Sequence, residues 1–163
     1  GAITERHLVK NSLRMRPDRI IVGEVRGDEA FDMIQAMNTG HDGSISTIHA
    51  NSVEDVPMRL ADMISMSSID INYNAVLNQI KSAIDLIIYI RRISDGSRNI
   101  TKISEVSHLE DGKIIFKTLA DFEYCKNNAG KIEGQFNLHR QNVGFAKKID
   151  RVGLTDLFKN LMG

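Results

Sequence analysis

The chain has 163 residues, enough for one domain that buries roughly two thirds of its unfolded surface, and its 42% hydrophobic content argues against a disordered chain. Its 21 basic and 21 acidic side chains give a net charge of zero, which excludes a general electrostatic attraction to nucleic acid or to an anionic membrane. No apolar run approaches the roughly 20 residues that span a bilayer, and a single cysteine, Cys125, excludes an intramolecular disulfide and a cysteine-rich zinc site.

The first half of the sequence alternates helical and strand patterns. Apolar spacing predicts a helix over residues 4–15, which Pro17 ends, and a β-branched run at residues 20–25 is typical of a strand covered on both faces. Further patterns predict, in order, a helix ending at Gly40, a strand at residues 44–49, helices at residues 52–66 and 74–84, and a strand at residues 86–90. This alternation indicates an α/β fold with a mainly parallel sheet.

After residue 90 the pattern changes to β-rich runs separated by turn sequences. Asp95-Gly96 and Asp111-Gly112 divide these runs, which predicts antiparallel hairpins at the edge of the sheet. Residues 126–131 are polar and turn-prone, and they predict a linker to a short helical tail. We therefore predict two parts, an α/β domain with hairpins at residues 1–125 and a linker with its tail at residues 126–163.

Glu24 is the charged residue of the first predicted strand, and it lies near that strand's carboxyl end. Proteins of the α/β class bind ligands at this edge of a parallel sheet, where a carboxylate can hold Mg²⁺ through water or orient an attacking water. From the residues alone, a buried glutamate paired with a neighbouring arginine is an equally good interpretation. Arg26 can either hold that carboxylate or bind a phosphate, and the ion pair is the favoured alternative.

Two histidines flank the second predicted strand. His49 at its end lies near Glu24 if the two strands are neighbours, and an imidazole there can donate a hydrogen bond to a phosphate oxygen. The alternative, which is the commoner one for a lone histidine, is an ordinary polar residue. His41 and His49 do not have the spacing of a zinc site.

A phosphate-binding loop is absent from this sequence. Its twelve glycines form no G-x-G pair. Neither Gly112-Lys113 nor Gly130-Lys131 has the preceding glycine and the following Ser or Thr of a Walker A loop. G-x-S-x-G and H-E-x-x-H are absent too, which disfavours an α/β hydrolase and a zinc protease.

Residues 13–27, with the sequence LRMRPDRIIVGEVRG, resemble the Walker B region of the type II/IV secretion ATPases. The similarity continues through residues 35–44 and through residues 47–51, which resemble the histidine box of that family. The turn at residues 95–98 is most similar to the CpaF-like motor ATPases of tight-adherence (Flp) pili. The resemblance covers residues 5–125 and implies a RecA-like P-loop ATPase core.

The resemblance also implies roles for individual residues. Glu24 is then the Walker B glutamate that acts on Mg²⁺ and its water, with Gly23 where other Walker B motifs have aspartate. Arg26 belongs to the same motif, and His49 and Thr47 belong to the box that approaches the γ-phosphate. The implied site consists of catalytic Glu24, Arg26 and His49, nucleotide-binding Gly23, Thr47 and His41, and Glu24 as the residue that holds Mg²⁺ through water.

Members of this family are cytoplasmic hexameric rings that hydrolyse ATP to drive pilus assembly or substrate export at the inner membrane. The resemblance therefore implies ATP and Mg²⁺ as ligands, a homo-hexamer, an inner-membrane platform protein as partner and no nucleic acid. It also implies a cytoplasmic location peripheral to the inner membrane, which agrees with the absence of a signal-peptide pattern at the start of the sequence. The alternative is a non-catalytic module that supplies ring contacts or binds the platform protein.

The resemblance extends only to the carboxyl-terminal half of such a motor domain, because the Walker A loop and the aspartate box lie upstream in the family. Without the Walker A amides and lysine, little holds the β- and γ-phosphates, so we expect the isolated chain not to turn over ATP. The strand that carries Walker A would lie between the histidine-box strand and residues 86–90. We therefore expect self-association through an exposed sheet edge, or a rearranged sheet.

Overall fold

A computed structural model describes residues 2–67, 71–128, 131–139 and 142–162 and shows a mixed α/β chain, which confirms the predicted class. Its elements are, in chain order, α1 (Glu5–Leu13), β1 (Ile21–Val22), α2 (Glu29–Asn38), β2 (Ile45–Ser46), α3 (Val56–Ser65), α4 (Tyr73–Ala83), β3 (Leu86–Arg92), β4 (Arg98–Glu110), β5 (Lys113–Asn128), β6 (Lys131–Leu138), α5 (Ala146–Arg151) and α6 (Thr155–Met162). They form two compact units, one of Gly1–Ile84 with His108–Ile115 and one of Asp85–Ser107 with Phe116–Gly163. None of the helices in the described ranges has the length and apolar character that a membrane span requires.

Helix α2 lies at the centre of the first unit, where it contacts α1, α3 and α4. Its apolar residues recur at helical spacing, as predicted, and Ala30 and Ile34 are completely buried. The facing helices contribute side chains that are at most 2% exposed, namely Leu60, Ile64, Val76 and Ile80. The core of this unit is therefore an interface among helices.

Strands β1 and β2 form a short parallel pair, with Ile21 opposite Ile45. The backbone continues the pairing on both sides, because Ile45 N donates to Ile20 O and Val25 N donates to Thr47 O. Ile20 and Val25 are buried, whereas Ile21 and Ile45 are 76% and 60% exposed. The prediction of a strand covered on both faces is thus wrong, since the face that carries Ile21 and Ile45 is open to solvent.

The second unit contains a four-stranded sheet in the order β3-β4-β5-β6. Here the prediction of a mainly parallel sheet is wrong, because β3 pairs antiparallel with β4. The cause is the turn between them, where Gly96 has a positive φ of 87° and Ser97 N donates to Asp95 Oδ1. A turn this short returns the chain directly beside β3, and only antiparallel strands can be joined in that way.

The predicted hairpins and helical tail are present. Asp111 and Gly112 both have positive φ, as a tight turn between β4 and β5 requires. The predicted linker at residues 126–131 coincides with the end of β5 and the start of β6, and Ala129 and Gly130 lie outside the described residues. Helices α5 and α6 form the tail, and the side chain of Lys148 in α5 binds Asp85 at 2.7 Å.

Candidate functional site

Two polar side chains meet where the parallel strands end. Parallel pairing brings the carboxyl ends of β1 and β2 to one edge, and both Glu24 and His49 lie just beyond these ends. Nε2 of His49 is 3.2 Å from Oε1 of Glu24. The predicted proximity of these two residues is therefore confirmed, while their roles stay predictions.

The Glu24–His49 pair is accessible to solvent. The side chain of His49 is 87% exposed and that of Glu24 is 41% exposed. A polar contact in such a position is screened by water and contributes little to stability. The carboxylate and the imidazole are thus open to a ligand, and the alternative of a buried glutamate–arginine pair is wrong for Glu24.

Thr47 fixes the backbone on either side of Glu24. Its hydroxyl donates a hydrogen bond of 2.6 Å to the carbonyl of Gly23, and its own carbonyl accepts one of 2.9 Å from Val25 N. Glu24 is held between these two bonds, so its side chain projects from a backbone that is tied to the neighbouring strand. Gly23 and Thr47 therefore position Glu24 in this structure.

Arg26 and His41 have partners elsewhere. Nη2 of Arg26 is 3.1 Å from Oε1 of Glu5 in α1, so its ion pair is with Glu5. Nδ1 of His41 is 3.1 Å from the carbonyl oxygen of Ala36, near the end of α2. The structure brings together Glu24, His49, Gly23 and Thr47. It places the side-chain contacts of Arg26 and His41 elsewhere, at Glu5 in α1 and at Ala36 in α2.

Glu29 was missed by the sequence analysis, although its carboxylate accepts hydrogen bonds from two backbone amides in this region. It is 3% exposed, and its Oε1 accepts hydrogen bonds from Arg26 N at 2.8 Å and from Gly27 N at 3.0 Å. A Cβ atom at Gly27 would come within 2.9 Å of Glu29 Oε2, so glycine permits this close approach. The available signal was a glutamate in the first turn of a predicted helix, placed to reach back to preceding backbone N–H groups.

A second group of charges joins α1 to α2. Nε of Arg6 donates a 2.6 Å hydrogen bond to Asp32, and its Nη1 donates one of 3.1 Å to Asp28. The hydrogen bond with Asp32 raises the pKa of Arg6 above its usual value, so the guanidinium stays charged. This cluster fixes α1 beside α2.

The side chains at the carboxyl ends of β1 and β2 can hold Mg²⁺ through water and substrate phosphates, but they do not form a complete set of protein ligands. In the part of the chain that the structure describes, no three His, Cys, Asp or Glu side chains are grouped closely enough to hold a metal. Mg²⁺ commonly keeps its waters and uses one or two carboxylates together with substrate phosphates. One accessible carboxylate, Glu24, fits that mode and does not fit an all-protein metal cage.

The comparison with known proteins decides the family. Residues 1–143 match the family described as Type II/IV secretion system protein. The chain belongs to this family. The resemblance to type II/IV secretion ATPases is thus confirmed at the family level, and the CpaF-like branch remains a prediction.

Individual members of the type II/IV secretion family match a large part of the chain. Conjugal transfer protein TrbB of Rhizobium radiobacter is 40% identical over 63% of this chain and 29% of its own length. Protein VirB11 of Agrobacterium fabrum is 35% identical over 74% of this chain and 35% of its own length. The crystal structure of the VirB11 ATPase from the Brucella suis type IV secretion system, in complex with sulphate, aligns with a TM-score of 0.59 at 32% identity over 63% of this chain and 32% of that chain. The chain therefore spans about a third of the length of the relatives it matches.

Proposed function

We propose that this chain is the carboxyl-terminal half of the motor domain of a secretion or pilus-assembly ATPase, with the CpaF-like motors of tight-adherence pili as the nearest branch. Family membership supports the class of protein. The observation that carries the proposal is the accessible Glu24–His49 pair, 3.2 Å apart at the shared end of β1 and β2. Residues 1–125 are the proposed motor half, and residues 126–163 are the proposed linker and tail.

The proposed chemistry assigns different tasks to the side chains at this edge. Glu24 would hold Mg²⁺ through water and accept a proton from the attacking water. Bound Mg²⁺ neutralises charge on the phosphates of ATP. His49 would donate a hydrogen bond to a phosphate oxygen, and Thr47 and Gly23 would keep Glu24 in position. Arg26 and His41 would join this site only after leaving Glu5 and the Ala36 carbonyl.

The β- and γ-phosphates need groups that this sequence does not contain. The 163 residues hold no Walker A loop, so the backbone amides and the lysine that cradle phosphates must come from another segment. We propose that the whole protein is a homo-hexamer on the cytoplasmic side of the inner membrane, where it contacts a platform protein. In that hexamer, the motor half described here would supply Glu24, the carboxylate that activates the attacking water.

The first prediction uses a chimera to test whether Glu24 and its neighbours complete an ATPase site when a Walker A loop is supplied by another protein. Residues 1–143, the range that matches the family, replace the corresponding segment of the Brucella suis VirB11 ATPase, which is 32% identical over 63% of this chain. We expect the chimera to hydrolyse ATP, and we expect Glu24→Gln to lower its kcat by about 10²- to 10⁴-fold because the amide cannot accept the proton. The isolated chain is expected to show no turnover and no saturable Mg-ATP binding by calorimetry.

The matched control for Glu24→Gln is Glu133→Gln, which removes the same charge from an exposed position of β6. It is expected to leave the kcat of the chimera unchanged. A folded chimera whose kcat is insensitive to Glu24→Gln contradicts the proposed role of Glu24. ATP turnover by the isolated chain that Glu24→Gln abolishes contradicts its dependence on a separate Walker A segment.

The second prediction concerns self-association, which is also expected of a non-catalytic ring-contact module. Ile21 and Ile45 lie opposite each other and are 76% and 60% exposed. Burying two such side chains against a second copy stabilises the contact by about 1.5–3 kcal/mol each. We expect the chain to associate with increasing concentration in sedimentation velocity, and Ile21→Ser with Ile45→Ser to shift it to monomer.

A matched pair of substitutions controls for general surface hydrophobicity. Ile3 and Leu138 are 77% and 72% exposed, and they lie outside the β1–β2 pair. Ile3→Ser with Leu138→Ser is expected to leave the association unchanged. A wild-type chain that stays monomeric over the whole concentration range, or an equal effect of both double variants, contradicts the proposed contact.

A further inference from the structure

The loop that follows Glu24, residues 25–28, is held at two places. Val25 N donates to Thr47 O at 2.9 Å, which continues the pairing of β1 with β2. The next two backbone N–H groups, those of Arg26 and Gly27, both donate to Oε1 of Glu29, at 2.8 and 3.0 Å. The loop is therefore fixed by the neighbouring strand at its start and by one side chain of α2 after that.

The hydrogen bonds of Glu29 serve this loop and not the end of its own helix. Asp28 is the N-cap residue of α2, yet its side chain makes no capping hydrogen bond and instead accepts one of 3.1 Å from Arg6. An N-cap side chain normally bonds N–H groups of the first helical turn. Glu29 reaches in the opposite direction, to two N–H groups that precede the N-cap. Its role therefore differs from helix capping.

The carboxylate of Glu29 is buried, since the residue is 3% exposed. Burial of a carboxylate costs free energy, which hydrogen bonds or an opposite charge must offset. In the described part of the chain, this carboxylate bonds the two N–H groups of the loop and forms no ion pair. A buried charge that serves only a loop breaks a general rule of stable folds, and proteins keep such exceptions mainly at functional sites.

Glycine at position 27 lets the carboxylate come close to the loop. A Cβ atom there would lie 2.9 Å from Glu29 Oε2, which is the tip of a flexible side chain. The φ angle of Gly27 is not in the left-handed region, so alanine can adopt this backbone. Gly27→Ala would therefore displace the carboxylate of Glu29 without straining the backbone.

We propose that Glu29 is a positioning residue for Glu24, an inference that rests on the function proposed above. A carboxylate that orients an attacking water must be held within about 0.5 Å of its working position, and a displacement of about 1 Å can lower the rate about 10²-fold. Thr47 bonds the backbone directly before and after Glu24, at Gly23 and Val25. Glu29 fixes the next two residues, so that motion of the loop does not reach Glu24.

The third prediction is tested on the full chain by the ¹⁵N order parameters of its backbone amides. Glu24 is expected to have a value of about 0.85 in the wild type and below about 0.7 in Glu29→Ala, because the loop after it is no longer held. Gly27→Ala is expected to lower the value too, and Glu29→Gln, which keeps an acceptor oxygen, is expected to retain it. Unchanged values for Glu24 in folded Glu29→Ala or folded Gly27→Ala overturn the proposal.

The same variants are then compared in the ATPase chimera. Glu29→Ala and Gly27→Ala are expected to lower kcat per folded enzyme by about 10- to 10²-fold while KM for ATP changes less than about twofold, and Glu29→Gln is expected to recover most of the rate. In the Glu24→Gln background, Glu29→Ala is expected to lower kcat by less than about twofold more, because the residue that it positions is already inactive. Equal losses in the two backgrounds, or no loss per folded enzyme, overturn the positioning role.

The matched control is Asp32→Ala. Asp32 is also a buried carboxylate of α2, at 9% exposure, but it binds the side chains of Arg6 and Lys10 and not the loop. Its removal is expected to leave the order parameter of Glu24 unchanged and kcat per folded enzyme within about twofold. Equal effects of Asp32→Ala and Glu29→Ala assign the loss to the helix as a whole and overturn the proposal. A chimera that is insensitive to Glu24→Gln contradicts the proposed function instead, and the order parameters of Glu24 then decide separately whether Glu29 positions it.

Discussion

Replacing Ile34 by alanine is expected to lower the free energy of unfolding by about 2–5 kcal/mol. Ile34 is completely buried in α2, and this helix contacts α1, α3 and α4. The cavity left by this substitution is enclosed by three other helices and cannot collapse easily. The loss of stability is therefore expected to be much larger than that of a substitution at the surface. Because the total stability of a domain is only about 5–15 kcal/mol, the variant is expected to unfold at a markedly lower urea concentration.

The control for Ile34→Ala is Ile3→Ala, which removes the same atoms from a side chain that is 77% exposed. Its effect on stability is expected to lie within about 0.5 kcal/mol of zero. Both variants are compared by urea unfolding followed by far-UV circular dichroism. If the two substitutions shift the midpoint equally, the four helices do not pack around α2 in the manner described above.

The helices of the first unit could be predicted because their signal is local. Apolar residues at spacings of three and four define one face of α2, and that face alone predicts the burial of Ala30, Met33 and Ile34. The same reasoning predicted where α2 ends, since Gly40 follows with a positive φ of 100°. These features depend on residues within one or two turns of each other.

The sheet could not be predicted as well, because strand partners are not a local property. The five apolar residues 86–90 fit a buried parallel strand and an edge strand of an antiparallel sheet equally well. In the structure Leu86, Ile88 and Ile90 are 41%, 54% and 58% exposed, so one face of β3 is open. The turn at Asp95-Gly96 decides the partner, because it returns the chain as β4. The hairpin predicted from that turn is present, and the error was to place residues 86–90 in a parallel sheet as well.

The proximity of Glu24 and His49 was predicted because it follows from the parallel pairing of two strands. The buried Glu29 was missed because its burial depends on the fold of the whole loop. Glu24 and His49 follow paired strands, so topology alone places them together. Four acidic residues stand close together in the sequence here, and two of them, Glu29 and Asp32, are buried in the structure. The position of Glu29 in the first turn of a predicted helix indicated that it could bond to preceding amides, but it did not indicate its burial. The burial of Glu29 depends on the reversal of the chain between β1 and α2, which is a property of the folded chain and not of the local sequence.

Replacing Glu29 by alanine is expected to lower the free energy of unfolding by about 1–3 kcal/mol. The substitution removes the acceptor of the Arg26 and Gly27 amides, and the residue is 3% exposed, so water does not readily take its place. The amide hydrogens of Arg26 and Gly27 are expected to exchange roughly tenfold faster in the variant. Glu29→Gln keeps an acceptor oxygen and is expected to retain much of the lost stability.

Glu24→Ala is the matched control, because it removes a carboxylate five positions earlier whose side chain is 41% exposed and whose pair with His49 faces water. Its effect on stability is expected to stay within about 0.5 kcal/mol, with no change in the exchange of the Arg26 and Gly27 amides. Equal destabilisation by Glu24→Ala and Glu29→Ala contradicts this distinction. The expected difference separates two tasks within one loop: the buried glutamate holds the backbone, and for that reason the exposed one is left available to a ligand.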